Sequence, residues 1–158
     1  MNALVLCVGS LKEKWQRDAC GEYLTRLTRY GKYELTEVPD EPEPAGGGEK
    51  LSLQVIKKEG QALLKHIKPT DFVVALCIRA GQMSSEKLAE SVRRWENEGR
   101  RAVFVIGGSL GLSKDVEDRA NLKLSFSPMT FPHQLMRVIL LEQLYRAEKI
   151  NAGERYHK

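Results

Sequence analysis

Ala102-Val103-Phe104-Val105-Ile106 runs directly into Gly107-Gly108-Ser109-Leu110-Gly111, and Leu122-Lys123-Leu124-Ser125-Phe126 runs into Ser127-Pro128-Met129-Thr130-Phe131-Pro132-His133. Both stretches are strand-like runs that break into small or constrained residues. An unusually apolar helix is predicted next, from Gln134 to Ile150. Strand ends that open into such loops let the backbone approach a ligand closely. Any active site is expected here.

The same alternation repeats on working outward to the N-terminus. Ala3 to Val8 is continuously apolar, as expected for a strand covered on both faces. Ser10 with Glu13 reads as a capping box, and Leu11, Trp15, Ala19, Tyr23 and Leu27 mark one helical stripe that Gly31 stops. Tyr33 to Val38 is a short strand. Pro39 to Glu49 is acidic, Pro-rich and then Gly46-Gly47-Gly48, which predicts a mobile surface connection. Leu51 to Ile67 is helical, and Phe72 to Ile78 is the most strand-like run in the chain, closed by Arg79-Ala80-Gly81-Gln82. Met83 before an N-cap Ser84 staples onto Leu88 of a third helix, which Gly99 ends; a short helix follows Ser113. Strands alternating with helices predict one α/β domain over residues 1–158, with a mainly parallel sheet and helices on both faces.

Bulk properties agree with a single domain that buries roughly 70% of its unfolded surface. The chain is 42% hydrophobic and 29% charged, with net charge +4 and pI about 9.0. That balance permits a polyanionic partner without requiring one. No segment reads as a membrane span or a signal peptide, so a cytoplasmic protein is expected. Cys7, Cys20 and Cys77 form no CxxC pair, and Cys7 and Cys77 sit in apolar runs as buried small hydrophobes.

Standard phosphate-binding and metal signatures are missing. Neither GxGxxG nor GxxxxGK[ST] occurs, and no HExxH, paired cysteine or histidine cluster predicts a metal. What remains is a cradle of backbone. Leu76, Gly107-Gly108 and Ser127 to Pro132 together suit a flat heteroaromatic group, although glycine-rich turns of this kind also occur with no ligand at all.

Gly107 to Leu112, Leu124 to His133, Arg137 to Ala147 and the terminal Tyr156-His157-Lys158 resemble the RlmH family of small SPOUT-class methyltransferases. The likeness extends to Val8-Gly9, Glu37-Val38-Pro39-Asp40 and Lys58-Glu59-Gly60, and so spans essentially the whole chain. Arg79-Ala80 departs from the family's usual Pro or Gln beside the glycine. The resemblance implies a C-terminal trefoil knot, a homodimer, and S-adenosylmethionine as methyl donor to N3 of a pseudouridine in large-subunit (23S) ribosomal RNA. It places the cofactor contacts on Leu76, Gly107, Gly108, Ser127, Pro128, Met129, Thr130, Phe131 and Pro132. No metal is implied.

A sulfonium donor already activates its methyl group, so the protein must align the reactants and help remove the acceptor's imide proton. His133, beside the cofactor loop, reads as a base or a polar anchor. Arg137, four residues on and on the same face, reads as a phosphate or base-edge contact, or else as an intrahelical or interchain salt bridge. Arg146 follows Glu142 at the spacing of an ion pair, with RNA binding the other role. A helix apolar nearly all round suggests a subunit interface. In the tail, Tyr156 and His157 are candidates for the chemistry, and Arg155 and Lys158 for phosphates. The ribosome is the expected partner, because the basic groups are few for gripping a long RNA alone. Two rivals stand beside this reading: a SPOUT-like enzyme for tRNA, and a non-catalytic RNA- or ribosome-binding module.

Overall fold

All five expected strands lie parallel in one sheet, in the order β2-β1-β4-β3-β5. The computed structural model describes residues 1–156. Its elements are β1 (Asn2–Val8), α1 (Lys14–Leu27), β2 (Lys32–Val38), α2 (Glu49–Leu64), β3 (Phe72–Gln82), α3 (Ser85–Asn97), β4 (Ala102–Ile106), α4 (Lys114–Arg119), β5 (Leu122–Ser125) and α5 (His133–Asn151).

The continuous apolar runs have a direct cause. On β1, Ala3, Val5 and Cys7 face a core shared with α1, α3 and α5, while Leu4, Leu6 and Val8 face a second core with α2 and α4. Successive side chains point to opposite faces, so a strand between two helical layers must be apolar at every position. The first core is the larger. In it Trp95 stacks on Phe72, with ring centroids 4.9 Å apart, and meets Phe104 edge-on. Each fully buried large aliphatic side chain contributes about 1.5–3 kcal/mol.

Helix ends follow the expected signals in two cases. Ser84 accepts a hydrogen bond from the Lys87 amide at 3.2 Å, and Ser113 one from Val116 at 3.3 Å. The start of α1 differs from expectation. Ser10 is not its cap; Glu13 is, without a side-chain cap bond. Arg17 instead donates to the carbonyls of Leu11 and Lys12, at 3.0 and 2.6 Å, holding the entry to the helix. The expected stripe also shifts: Trp15 is 56% exposed, and the inward face is Cys20, Tyr23, Leu24 and Leu27. Residues four apart drift about 40° per step around a helix of 3.6 residues per turn, so a strict every-fourth pattern leaves the core within two steps.

The other departure shapes the site. β3 does not end at Ile78 but continues to Gln82. Leu76 and Gly81 both pair with Leu124 of β5, so residues 77–80 leave the ladder as a four-residue excursion.

At the opposite end of the sheet, buried Asp71 ties β3 to β4. Its carboxylate accepts from Arg101 at 3.0 and 2.6 Å and from the Lys68 amide at 2.6 Å. Burial opposes the charged form, but the Arg101 pair and the Lys68 amide outweigh it and hold the carboxyl below its usual range. A carboxyl depressed on folding stabilises the protein above its unfolded value and loses that contribution as pH falls through its folded one. Asp71→Asn is therefore expected to cost about 2 kcal/mol at neutral pH. In thermal unfolding followed across pH, the gap to wild type should close in acid below about pH 4. A gap that stays constant in acid would show that the charge is irrelevant.

Candidate active site

The C-terminal ends of β3, β4 and β5 open into a cavity of about 1050 Å³. Three segments wall it: Leu76 to Arg79 on the β3 excursion, Ile106 to Leu112 after β4, and Leu124 to Ser127 with Met129 to His133 after β5. Of the nine positions expected to meet a cofactor, eight line this space. Pro128, within the turn, is the one that does not.

Glycine is demanded by geometry in the β4 loop. The Gly111 amide donates to the Gly108 carbonyl at 3.1 Å, closing a turn in which Gly111 has φ +87°. A β-carbon on Gly107 would stand 2.7 Å from the Gly111 carbonyl carbon, and one on Gly108 would stand 3.1 Å from a Glu59 oxygen. The turn after β5 is shaped by serines. Ser125 donates to the Ser127 carbonyl at 3.0 Å, and the Ser127 hydroxyl accepts from the Met129 amide at 3.0 Å. Backbone groups therefore face the cavity with little side-chain bulk between them.

His133 is the first residue of α5 and lines the cavity. Burial pushes its imidazole below the usual histidine range, and the Arg137 guanidinium pushes it further, against a smaller upward pull from Asp40. At neutral pH it is an uncharged proton acceptor. Arg137 shares its face, but its side chain turns inward and is fully buried. One nitrogen donates to Glu37 Oε1 at 3.0 Å and another to the Val8 carbonyl at 2.7 Å. The salt bridge considered from sequence thus exists, but to the end of β2 rather than along the helix or to a partner chain.

Two acidic groups that sequence reasoning left without a role stand behind the cradle. Glu37 holds Arg137, and Glu59 of α2 lies under Gly108. Glu59 Oε1 accepts from the Glu41 amide at 3.1 Å, while Oε2 has no partner among the described residues. Burial raises its carboxyl above the usual range. The only signals in the sequence were Glu37-Val38-Pro39-Asp40 and Lys58-Glu59-Gly60 themselves, because burial of an acidic residue on an otherwise polar helix leaves no periodic trace.

This arrangement, a parallel sheet whose last three strand ends cup a backbone cradle below an apolar C-terminal helix, has clear relatives. A family model described as "Predicted SPOUT methyltransferase" matches residues 1–157. The chain belongs to the SPOUT methyltransferase family. Two proteins named ribosomal RNA large subunit methyltransferase H, from Bifidobacterium animalis subsp. lactis (strain AD011) and Clostridium novyi (strain NT), are each 54% identical over all of both chains. The resemblance to the RlmH family is thereby membership. Among solved structures, a Bordetella pertussis Tohama I protein described as a methyltransferase superposes with TM-score 0.55 at 16% identity, covering 93% of each chain. A Neisseria gonorrhoeae methylase family protein superposes with TM-score 0.58 at 13% identity, covering 99% of this chain and 86% of its own. These two share the fold.

One copy of the chain does not gather all the candidates from the sequence at the cradle. Glu142 lies nine residues past His133, about 13 Å along the helix and on its opposite side. There Glu142 accepts from Arg146 at 2.7 Å and from the Tyr156 hydroxyl at 3.2 Å, and the Arg146 guanidinium sits 4.7 Å from the Tyr156 ring centroid. Arg146 and Tyr156 thus form a cluster distant from His133 on the helix. Arg155 is exposed beside it. His157 and Lys158 lie outside the described residues. Among the described residues, no group of acidic, histidine or cysteine side chains is placed to hold a metal, and no helix is long and apolar enough to cross a membrane.

Breaking a buried pair by removing one partner costs about 3–5 kcal/mol. Glu37 retains some exposure, so Arg137→Ala is expected at the low end, about 3 kcal/mol in urea unfolding. Loss of methyl transfer without loss of stability would instead make Arg137 a substrate contact.

Proposed function

We propose that the protein transfers a methyl group from S-adenosylmethionine to N3 of a pseudouridine in 23S ribosomal RNA, acting on the assembled ribosome in the cytoplasm. The observation that carries the reading is the coincidence of the backbone cradle with His133 at one cavity. Full-length identity of 54% to proteins named ribosomal RNA large subunit methyltransferase H supports the substrate class. The residues fit the donor: Gly107 and Gly108 let the β4 loop pack against Gly111 and Glu59 with no side chain of their own at the cavity wall, and the walls offer strand-end amides and carbonyls to a flat base. When bound, the donor supplies a methyl group activated by its sulfonium.

The chain's residues do the rest. Leu76, Gly107, Gly108 and Ser127 through Pro132 hold and orient, with Pro128 supporting the turn. His133, neutral and half-buried, accepts the imide proton as N3 gains the methyl group. Arg137 positions His133 by fixing the start of α5. Tyr156 and His157, with Arg146, Arg155 and Lys158, meet the RNA. Because His133 and the Glu142–Arg146–Tyr156 cluster lie on opposite sides of α5, a homodimer in which the partner's tail reaches this cavity is part of the proposal. The half-buried Leu135, Val138 and Ile139 support such an interface. The trefoil knot belongs to the same reading, and the edge position of β5 followed by a helix that returns to α1 and α3 supports it.

Tritiated methyl transfer tests the whole. Purified ribosomes, isolated large subunits and tRNA are compared, with ribosomes from a strain lacking the endogenous activity. Label confined to large-subunit RNA, and lost when the target uridine is not isomerised, is expected. Label on tRNA instead would favour the tRNA rival, and RNA binding with no donor binding the non-catalytic one. The pH profile is a second expectation. The rate should fall as pH drops through the His133 value, below the ordinary histidine value of about 6.5, and His133→Asn should abolish that acid limb.

A further inference from the structure

The excursion of β3 carries a charge that the donor cradle does not use. Among the described residues lining the cavity, formal charge at neutral pH resides on Arg79 and Glu117, and Glu117 is paired with Lys123 at 3.1 Å. The Arg79 side chain is exposed and makes no hydrogen bond or ion pair with any described residue. It stands among residues 77–80, which are displaced from the ladder because Leu76 and Gly81 both take Leu124 as partner. The guanidinium is therefore held at the cavity rim by backbone topology and is committed to no described residue.

Its neighbours at the rim narrow the anion it suits. Ile78 beside it is 50% exposed, and Met129, on the turn after β5, is 72% exposed. These are two of the five large hydrophobic side chains exposed on the described protein. A guanidinium flanked by exposed apolar side chains matches a single-stranded nucleotide, whose base rests on the apolar surface while its phosphate takes the fork of donors. A lone carboxylate, such as that of the donor's methionine portion, needs the cation but not the apolar surface. We propose that Arg79 binds a backbone phosphate of the acceptor RNA beside the methylated base, an assignment that rests on the function proposed above.

Wild type, Arg79→Ala and Arg79→Lys are compared in two assays. The first measures affinity for assembled ribosomes by co-sedimentation from about 50 to about 200 mM salt. The second measures S-adenosylhomocysteine affinity by calorimetry. Each phosphate contact contributes about 0.7–0.9 to the slope of log affinity against log salt. Over that salt range the wild type should lose about threefold more affinity than Arg79→Ala. Arg79→Lys should restore most of that salt dependence, and S-adenosylhomocysteine should bind all three alike. Weaker S-adenosylhomocysteine binding by Arg79→Ala, with an unchanged salt slope, would move Arg79 to the donor's carboxylate and overturn the proposal. An alanine variant identical to wild type in both assays would leave it a solvated rim side chain, and would overturn the proposal while the methylation reading stands. A wild type that methylates no RNA would sink that reading and this one with it.

Discussion

A buried guanidinium joins three elements at one point. Arg137 of α5 donates to the last carbonyl of β1 at Val8 and to Glu37 near the end of β2. Taking such a charge out of water costs several kcal/mol unless its donors are met. Its Nε has no partner among the described residues, so the compensation comes from those two contacts. A fully buried ion of this kind tolerates few placements of the helix that bears it. Sliding α5 by one turn would strand the charge among apolar side chains. His133, one turn earlier, consequently meets the cavity at a set height above the sheet, and the same charge helps keep its imidazole neutral.

The cavity itself is electrostatically quiet. Apart from Arg79 at the rim, the paired Glu117 and the uncharged His133, its walls are mainly backbone, small residues and apolar side chains, and Cys77, which lines it, has its thiol pushed up by burial. The more deeply buried Cys7 is pushed to about 12 and Cys20 to about 11, so neither is a thiolate nucleophile at neutral pH. This suits a reaction whose leaving group is already activated. Little is asked of the protein beyond alignment, a proton acceptor and the exclusion of misplaced water.

Much of this was legible in the sequence because two periodicities dominate it. Continuous apolar runs at Ala3 to Val8 and Ala102 to Ile106 announced central strands covered on both faces, and Ser84 and Ser113 announced helix starts. The cradle positions came from the family resemblance, because glycine-rich turns such as Gly107-Gly108, and loops such as Ser127 to Pro132, also occur with no ligand at all. Three features were hidden. Glu59 and Glu37 sit on elements whose pattern is set by their other residues, so neither the burial of Glu59 nor the contact of Glu37 with Arg137 has a sequence signature. The phase of α1 was misread from an every-fourth spacing that drifts off the core. The return of β3 to its ladder after Ile78 depends on a cross-strand pairing, which local pattern cannot reveal.

That return has a consequence for how such a pocket changes over time. Since the residues before and after the excursion share one partner on β5, the segment between them is outside the register that the sheet must keep. Its length and chemistry can vary without moving a single core side chain. The scaffold thus separates a part that selection must preserve, the cradle and its clamp, from a part free to be rewritten. Arg79-Ala80 stands in the latter, which is where relatives adapted to different acceptors would be expected to diverge first.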